Sequence, residues 1–157
     1  MNVRVLMIGK TNDNYIREGV SEFLGRLKHY LKISWDELPD IKDRKNLSPQ
    51  QIKEKETNLL LTKLPEKFTL VLLDEKGKEY TSMNFAEFIT KQAASGIKEL
   101  VFVIGGAYGV SEELKKRADF ALSLSQMTFT HQLIRLIFAE QLYRAMTITR
   151  NEPYHNE

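Results

Sequence analysis

Three short segments carry the residue types that bind a small flat ligand: Leu73-Asp74-Glu75-Lys76-Gly77, Ile104-Gly105-Gly106-Ala107-Tyr108-Gly109 and Leu124-Ser125-Gln126-Met127-Thr128-Phe129. Gly105-Gly106 removes two side chains and lets backbone groups approach a planar ligand closely. The segment 124–129 offers backbone donors and acceptors, two hydroxyls and a thioether, with no Arg or Lys among them. That inventory suits an adenine and a ribose better than a phosphate. A rival, Gly9-Lys10-Thr11, looks like the end of a phosphate-binding loop, but the glycine required five positions earlier is Arg4. The dinucleotide fingerprint is likewise missing after that first apolar run. A single Gly-Gly makes a tight turn as readily as a ligand cradle. The convergence of three such segments favours the cradle.

Convergence depends on the elements around them. Apolar, β-branched runs at 3–8, 31–38, 68–73, 100–104 and 120–124 read as strands. Helical spacing marks 15–30, where Ile16, Val20, Phe23, Leu24 and Leu27 recur, as well as 82–95 and 131–148. Ser48-Pro49 opens another helix to about 64, and Ser111, followed by Glu112 and Glu113, caps a short one. Residues 74–78 read as a turn. The runs 68–73 and 100–104 have no polar face, as strands buried on both sides require. Alternation of strand and helix then gives an α/β sandwich: one domain over 1–157 with a mostly parallel sheet between helices. In such sheets the ligand crevice lies at the carboxyl ends of the strands, where all three segments fall.

Composition narrows the class. With 42% hydrophobic and 28% charged residues, the chain is ordinary for a globular protein, so disorder is not expected. It has no cysteine, which excludes disulfides, thiolate nucleophiles and zinc–thiolate sites, and no metal site is expected. No leader pattern and no apolar stretch of about 20 residues is present, so the expected location is the cytoplasm. The net charge of +2 permits a nucleic-acid partner without demanding one.

The last helical stretch is apolar on nearly every face, through Leu133, Ile134, Leu136, Ile137, Phe138, Leu142, Tyr143 and Met146. Such a helix needs cover all round, from the core on one side and a second copy of the chain on the other. Glu140 and Arg144 form a favourable i,i+4 pair. Arg135 and Arg150 are freer candidates for an RNA phosphate. Lys42–Lys45 and Lys115-Lys116-Arg117 read as solvated charge. His131 reads as a capping or packing residue able to order the segment before it, and His29 as a helix-end histidine.

Several of these motifs carry a resemblance: Ile-Gly-Gly-Ala-Tyr-Gly at 104–109, Leu-Ser-Leu-Ser-Gln-Met-Thr-Phe-Thr-His-Gln-Leu at 122–133, Glu-Gln-Leu-Tyr-Arg-Ala at 140–145 and Pro-Tyr-His at 153–155. Their order and spacing resemble the RlmH family, the small SPOUT-class methyltransferases of bacterial large-subunit ribosomal RNA. The resemblance implies a C-terminal trefoil knot, a homodimer, and S-adenosylmethionine as methyl donor. The implied reaction is N3 methylation of a pseudouridine in 23S rRNA, in the assembled ribosome. By position it implies cofactor contacts from Leu73, Gly105, Leu124, Ser125, Gln126, Met127, Thr128 and Phe129. It also turns the terminal Pro153-Tyr154-His155 from an ordinary frayed end into a catalytic tail folded over the site. There His155 would be the base, Tyr154 a stacking platform, and Arg135 or Arg150 a stabiliser of negative charge on the uracil ring. The family often has a basic residue after Tyr-His, whereas this chain has Asn156. Two other readings stay open on the residues alone: a non-catalytic RNA- or ribosome-binding α/β protein, and a small-molecule nucleotide-binding enzyme.

Overall fold

In the computed structural model, which describes residues 1–156, each apolar run becomes a strand of one sheet. The strands are β1 (Asn2–Ile8), β2 (Lys32–Leu38), β3 (Thr69–Glu79), β4 (Glu99–Ile104) and β5 (Phe120–Ser123). The helices are α1 (Asn14–Leu27), α2 (Pro49–Leu61), α3 (Ser82–Ala94), α4 (Glu112–Arg117) and α5 (Leu133–Thr149). All strand pairs are parallel, in the order β2-β1-β4-β3-β5.

Alternation along each strand divides the core in two. Val3, Val5, Met7, Leu100, Phe102 and Ile104 face one layer with Phe85, Phe138 and Leu142. Leu6, Ile8, Leu70, Leu72, Val101 and Val103 face the other with Leu60 and Leu114. Helix α5 packs between α1 and α3 on the first face. Its close approach to α1 depends on Gly19, where a Cβ would come within 2.7 Å of Leu136 Cδ1. Local signals hold the helix starts. Ser48 accepts from Gln51 N while the Gln51 side chain returns to Ser48 N, a reciprocal cap on α2. Ser111 caps α4 in the same sense through Leu114 N.

The segment expected to turn at 74–78 does not leave the sheet. Strand β3 continues through it, and both Leu73 and Lys78 pair with Leu122, so the residues between bulge out of the ladder. Gly77 makes the bulge feasible: a Cβ there would lie 2.6 Å from the Ala121 carbonyl carbon and 2.7 Å from Leu122 N. Helix α5 begins two residues later than its periodicity implies. Gln132 caps nothing with its side chain and instead bridges to the β1–α1 loop, as described below. The expected pairing of Glu140 with Arg144 is present.

Candidate active site

The bulge of β3 and the carboxyl ends of β4 and β5 open into one cleft of about 510 Å³, within the range that holds a ligand of nucleoside size. The bulge of β3 supplies Leu73 and Asp74, the β4–α4 loop Gly105 and Gly106, and the segment after β5 Leu124, Ser125, Met127, Thr128 and Phe129. Seven of the eight residues expected around a cofactor therefore share one cavity. Gln126 is exposed and does not line it. The segment after β5 is folded on its own hydroxyls: Ser123 Oγ donates to Ser125 O at 3.0 Å and Ser125 Oγ accepts from Met127 N at 2.9 Å. This turn leaves Met127 76% exposed at the mouth, where a flexible thioether adapts to what binds. Lys53, Lys76 and Lys115 also line the cleft, Lys115 paired with Asp74 at 3.8 Å and Glu112 at 3.2 Å.

The glycines act differently from the simple expectation of ligand space. A Cβ on Gly105 would meet Val110 Cγ1 at 3.0 Å and the Gly109 carbonyl carbon at 3.2 Å. One on Gly106 would meet the Glu56 carboxylate at 2.6 Å. The missing side chains let the loop fold on itself and on α2. A bulky residue at 105 would thus strain the protein before it met any ligand.

Arg135 is a buried structural residue. It was expected to reach RNA, yet it is 1% exposed. Its guanidinium donates to Ile8 O at 2.8 Å, Gly9 O at 2.9 Å and Thr11 Oγ1 at 3.0 Å, and its Nε donates to His131 O at 3.2 Å. Thr11 is held in turn by the Glu37 carboxylate through both its hydroxyl and its N–H. Beside it, Gln132 accepts from Asn12 N at 2.8 Å and donates to Lys10 O at 3.0 Å. Arg135 and Gln132 therefore pin the end of the cleft segment to the carboxyl end of β1, with β4 and β3 between it and β5. Exposed Arg150 is not part of this network; it donates to His29 O and lies 4.3 Å over the Tyr30 ring.

The tail also departs from expectation. Tyr154 and His155 do not cover the cleft of their own chain. Tyr154 Oη donates to Glu140 Oε1 at 3.1 Å, and the two aromatic rings of Tyr143 and Tyr154 meet edge to face at 4.8 Å. Burial, then Glu140, raises the Tyr154 hydroxyl above the usual phenol range, so it stays protonated. Arg144 Nη1 lies 3.2 Å from His155 Nδ1. Further back, the Tyr30 hydroxyl is pushed up to about 12, first by its hydrogen bond to the Glu152 carboxylate and then by burial. From Ile134 on the cleft wall to Arg144, α5 climbs about 15 Å at 1.5 Å per residue.

Two contributors went unnoticed in the sequence. Lys53 enters the cleft from α2, with no local mark to single it out. Glu56, 3% exposed, lies under Gly106 with Oε1 unbonded and 3.5 Å from Arg44 Nη1. Its signal was present: Ile52, Glu56 and Leu60 recur every four residues, so a carboxylate stands on the buried face of α2. Burial raises its carboxyl above the ordinary range, opposed by the Arg44 cation. His131 lines the cleft, and its ring titrates below the usual histidine range because of partial burial, then the Arg135 and Arg44 charges.

A parallel sheet with a cleft at its carboxyl ends, crossed by a segment running from an edge strand to an inner one, is the ligand-binding architecture of an open α/β protein. A family model described as "Predicted SPOUT methyltransferase" matches residues 1–155, and the chain belongs to that family. Proteins named ribosomal RNA large subunit methyltransferase H are similar over its full length. The one from Parabacteroides distasonis is 53% identical over 157 residues and that from Flavobacterium johnsoniae 50%, each covering all of both chains. The one from Trichlorobacter lovleyi is 47% identical, over 99% of this chain and all of its own. The solved structure of a probable methylase family protein from Haemophilus influenzae Rd KW20 superimposes with TM-score 0.54 at 11% identity. It covers 99% of this chain and 71% of that one, a likeness of fold alone.

Proposed function

We propose that this methyltransferase transfers a methyl group from S-adenosylmethionine to N3 of a pseudouridine in 23S rRNA of the large ribosomal subunit, in the cytoplasm. The observation that carries the reading is the single cleft, in which seven expected cofactor residues from three separate segments meet. Full-length similarity to enzymes named for the large-subunit RNA supports the substrate. Among the described residues no helix is long and apolar enough to cross a membrane.

The cleft fits the cofactor by size and donor set. The turn at 124–129 offers backbone groups to an adenine, Leu73 and Leu124 offer apolar cover, and the β4–α4 loop lies alongside. The bound cofactor supplies an electrophilic methyl on a sulfonium. The protein supplies orientation and electrostatics. The trefoil threading of the family requires the segment after β5 to pass over the strand ends, and the pinning of Gln132 and Arg135 to the end of β1 supports that path.

A homodimer completes this reading. Helix α5 leaves Leu133, Leu136, Ile137 and Tyr143 only partly covered within one chain. The tail is held at Glu140 and Arg144, about 9 and 15 Å along the helix from Ile134, and does not line its own cleft, so a catalytic Tyr154 and His155 act on the cleft of a second copy. The test is methylation of large-subunit rRNA, subunits and whole ribosomes in parallel, with calorimetry of S-adenosylmethionine. Cofactor binding with methyl transfer to pseudouridine in ribosomes is expected. Absence of cofactor binding would leave the non-catalytic RNA-binding reading standing.

A further inference from the structure

The contact between Arg144 and His155 fixes which nitrogen of the imidazole carries its proton. A guanidinium can only donate, so with Arg144 Nη1 at 3.2 Å, Nδ1 of His155 must accept. The single proton of the neutral ring then sits on Nε2. The opposite tautomer would set two N–H groups against each other. Arg144 has no freedom to turn away: Nε donates to Glu140 Oε1 at 3.1 Å, Nη2 donates to the same oxygen, and the guanidinium lies 4.8 Å over the Tyr154 ring. Glu140 also accepts from Tyr154 Oη at 3.1 Å and from Gln141 Nε2 at 2.8 Å. One turn of α5 thus orients both tail side chains.

We propose that His155 acts as a hydrogen-bond donor through Nε2–H, with Arg144 and Glu140 as its positioning residues, and is not the base that removes the N3 proton. This assignment rests on the reading that the tail completes a methyltransferase site. N3 of a uracil ring lies between two carbonyls. As its proton leaves to water, negative charge spreads onto those oxygens, and an aimed N–H donor stabilises it there. The methyl group then takes the place of the proton on N3. The electron pair of the broken carbon–sulfur bond stays on sulfur, which becomes a neutral thioether. An open cleft lined by lysines admits the water that accepts the proton.

Substitution separates donor from base. The amide nitrogen of glutamine falls near the position of Nε2 and donates, but has no useful basicity. In single-turnover methylation of ribosomes, His155→Ala should lose about 10²–10³-fold, as when an oxyanion donor is removed, while His155→Gln stays within about tenfold of wild type. Arg144→Ala should lower the rate with cofactor affinity unchanged, and Arg144→Lys, which can still donate to Nδ1, should recover part of it. If His155→Gln falls as far as His155→Ala in a folded, cofactor-binding protein, the donor role is overturned and the base role stands. If Arg144→Ala keeps the wild-type rate, the positioning role is overturned. A wild-type rate in His155→Ala removes the catalytic tail itself, and this assignment with it.

Discussion

At the scale of single residues, buried charge separates structural from reactive groups. Arg135 is an ion inside the protein whose donors satisfy Ile8 O, Gly9 O and His131 O. Removing it strands those carbonyls and takes away the cation 3.9 Å from the Glu37 carboxylate, which Thr11 still holds. Arg135→Met should therefore cost about 3–5 kcal/mol in urea unfolding and weaken cofactor binding, because the end of the cleft segment loses its anchor. Arg150→Met, on an exposed side chain, should stay within about 0.5 kcal/mol. Equal stability losses would contradict the anchoring role. Glu56 gives a second test with a defined sign. Its folded carboxyl is raised by burial, so between the unfolded value of about 4.3 and the raised folded value the native state holds more protons. Stability from this group is full below that window and declines as pH rises through it. Glu56→Gln should remove the decline, so the stability difference between variant and wild type grows with pH across the window. A difference that does not vary with pH would refute it. Sequence alone could have flagged Glu56 by its place on an apolar helix face. Arg135 carried no such warning, since α5 is apolar nearly all round and its buried side cannot be read from spacing.

At the scale of elements, the order of strands and helices was legible because apolar runs, caps and breakers agree along the chain. The lateral order β2-β1-β4-β3-β5 was not, because strand pairing is set by helix crossings that leave no local mark. The continuation of β3 through Asp74–Gly77 was also hidden: its polar residues look like a turn, and in the structure they are the bulge that lines the cleft. Gly77 is the residue on which that bulge depends. Gly77→Ala would push a methyl into the Ala121–Leu122 backbone, leaving β3 and β5 to separate or the bulge to shift. The expected cost is about 1–3 kcal/mol, as for other overpacked sites, with a drop in cofactor affinity because Leu73 and Leu124 move with these strands. Chemical denaturation and calorimetry on the same variant would check both. Loss of stability with unchanged affinity would separate the bulge from the cleft.

At the scale of the whole molecule, the fold keeps its two chemically useful regions apart along α5. The cleft meets Ile134, while the tail is wired to Glu140 and Arg144. To close its own tail on its own cleft, one chain would have to give up the bonds from Tyr30 to Glu152 and from Tyr154 to Glu140. In the proposed two-fold dimer each copy would donate to the other's cleft the tail that the cleft lacks within one chain. Two damaged forms then repair each other. One lacks residues 153–157 and keeps a sound cleft. The other carries Thr128→Trp, which fills the cleft and leaves the tail intact. Each alone should be inactive, the first at least about 10²-fold below wild type. Co-refolded in equal amounts, half of the dimers are mixed, and each mixed dimer holds one sound site of two, so activity should return to about a quarter of wild type. Sedimentation would confirm that dimers form. Recovery to that level is possible only when tail and cleft come from different copies, and a co-refolded mixture as inactive as its parts would place both functions within one chain.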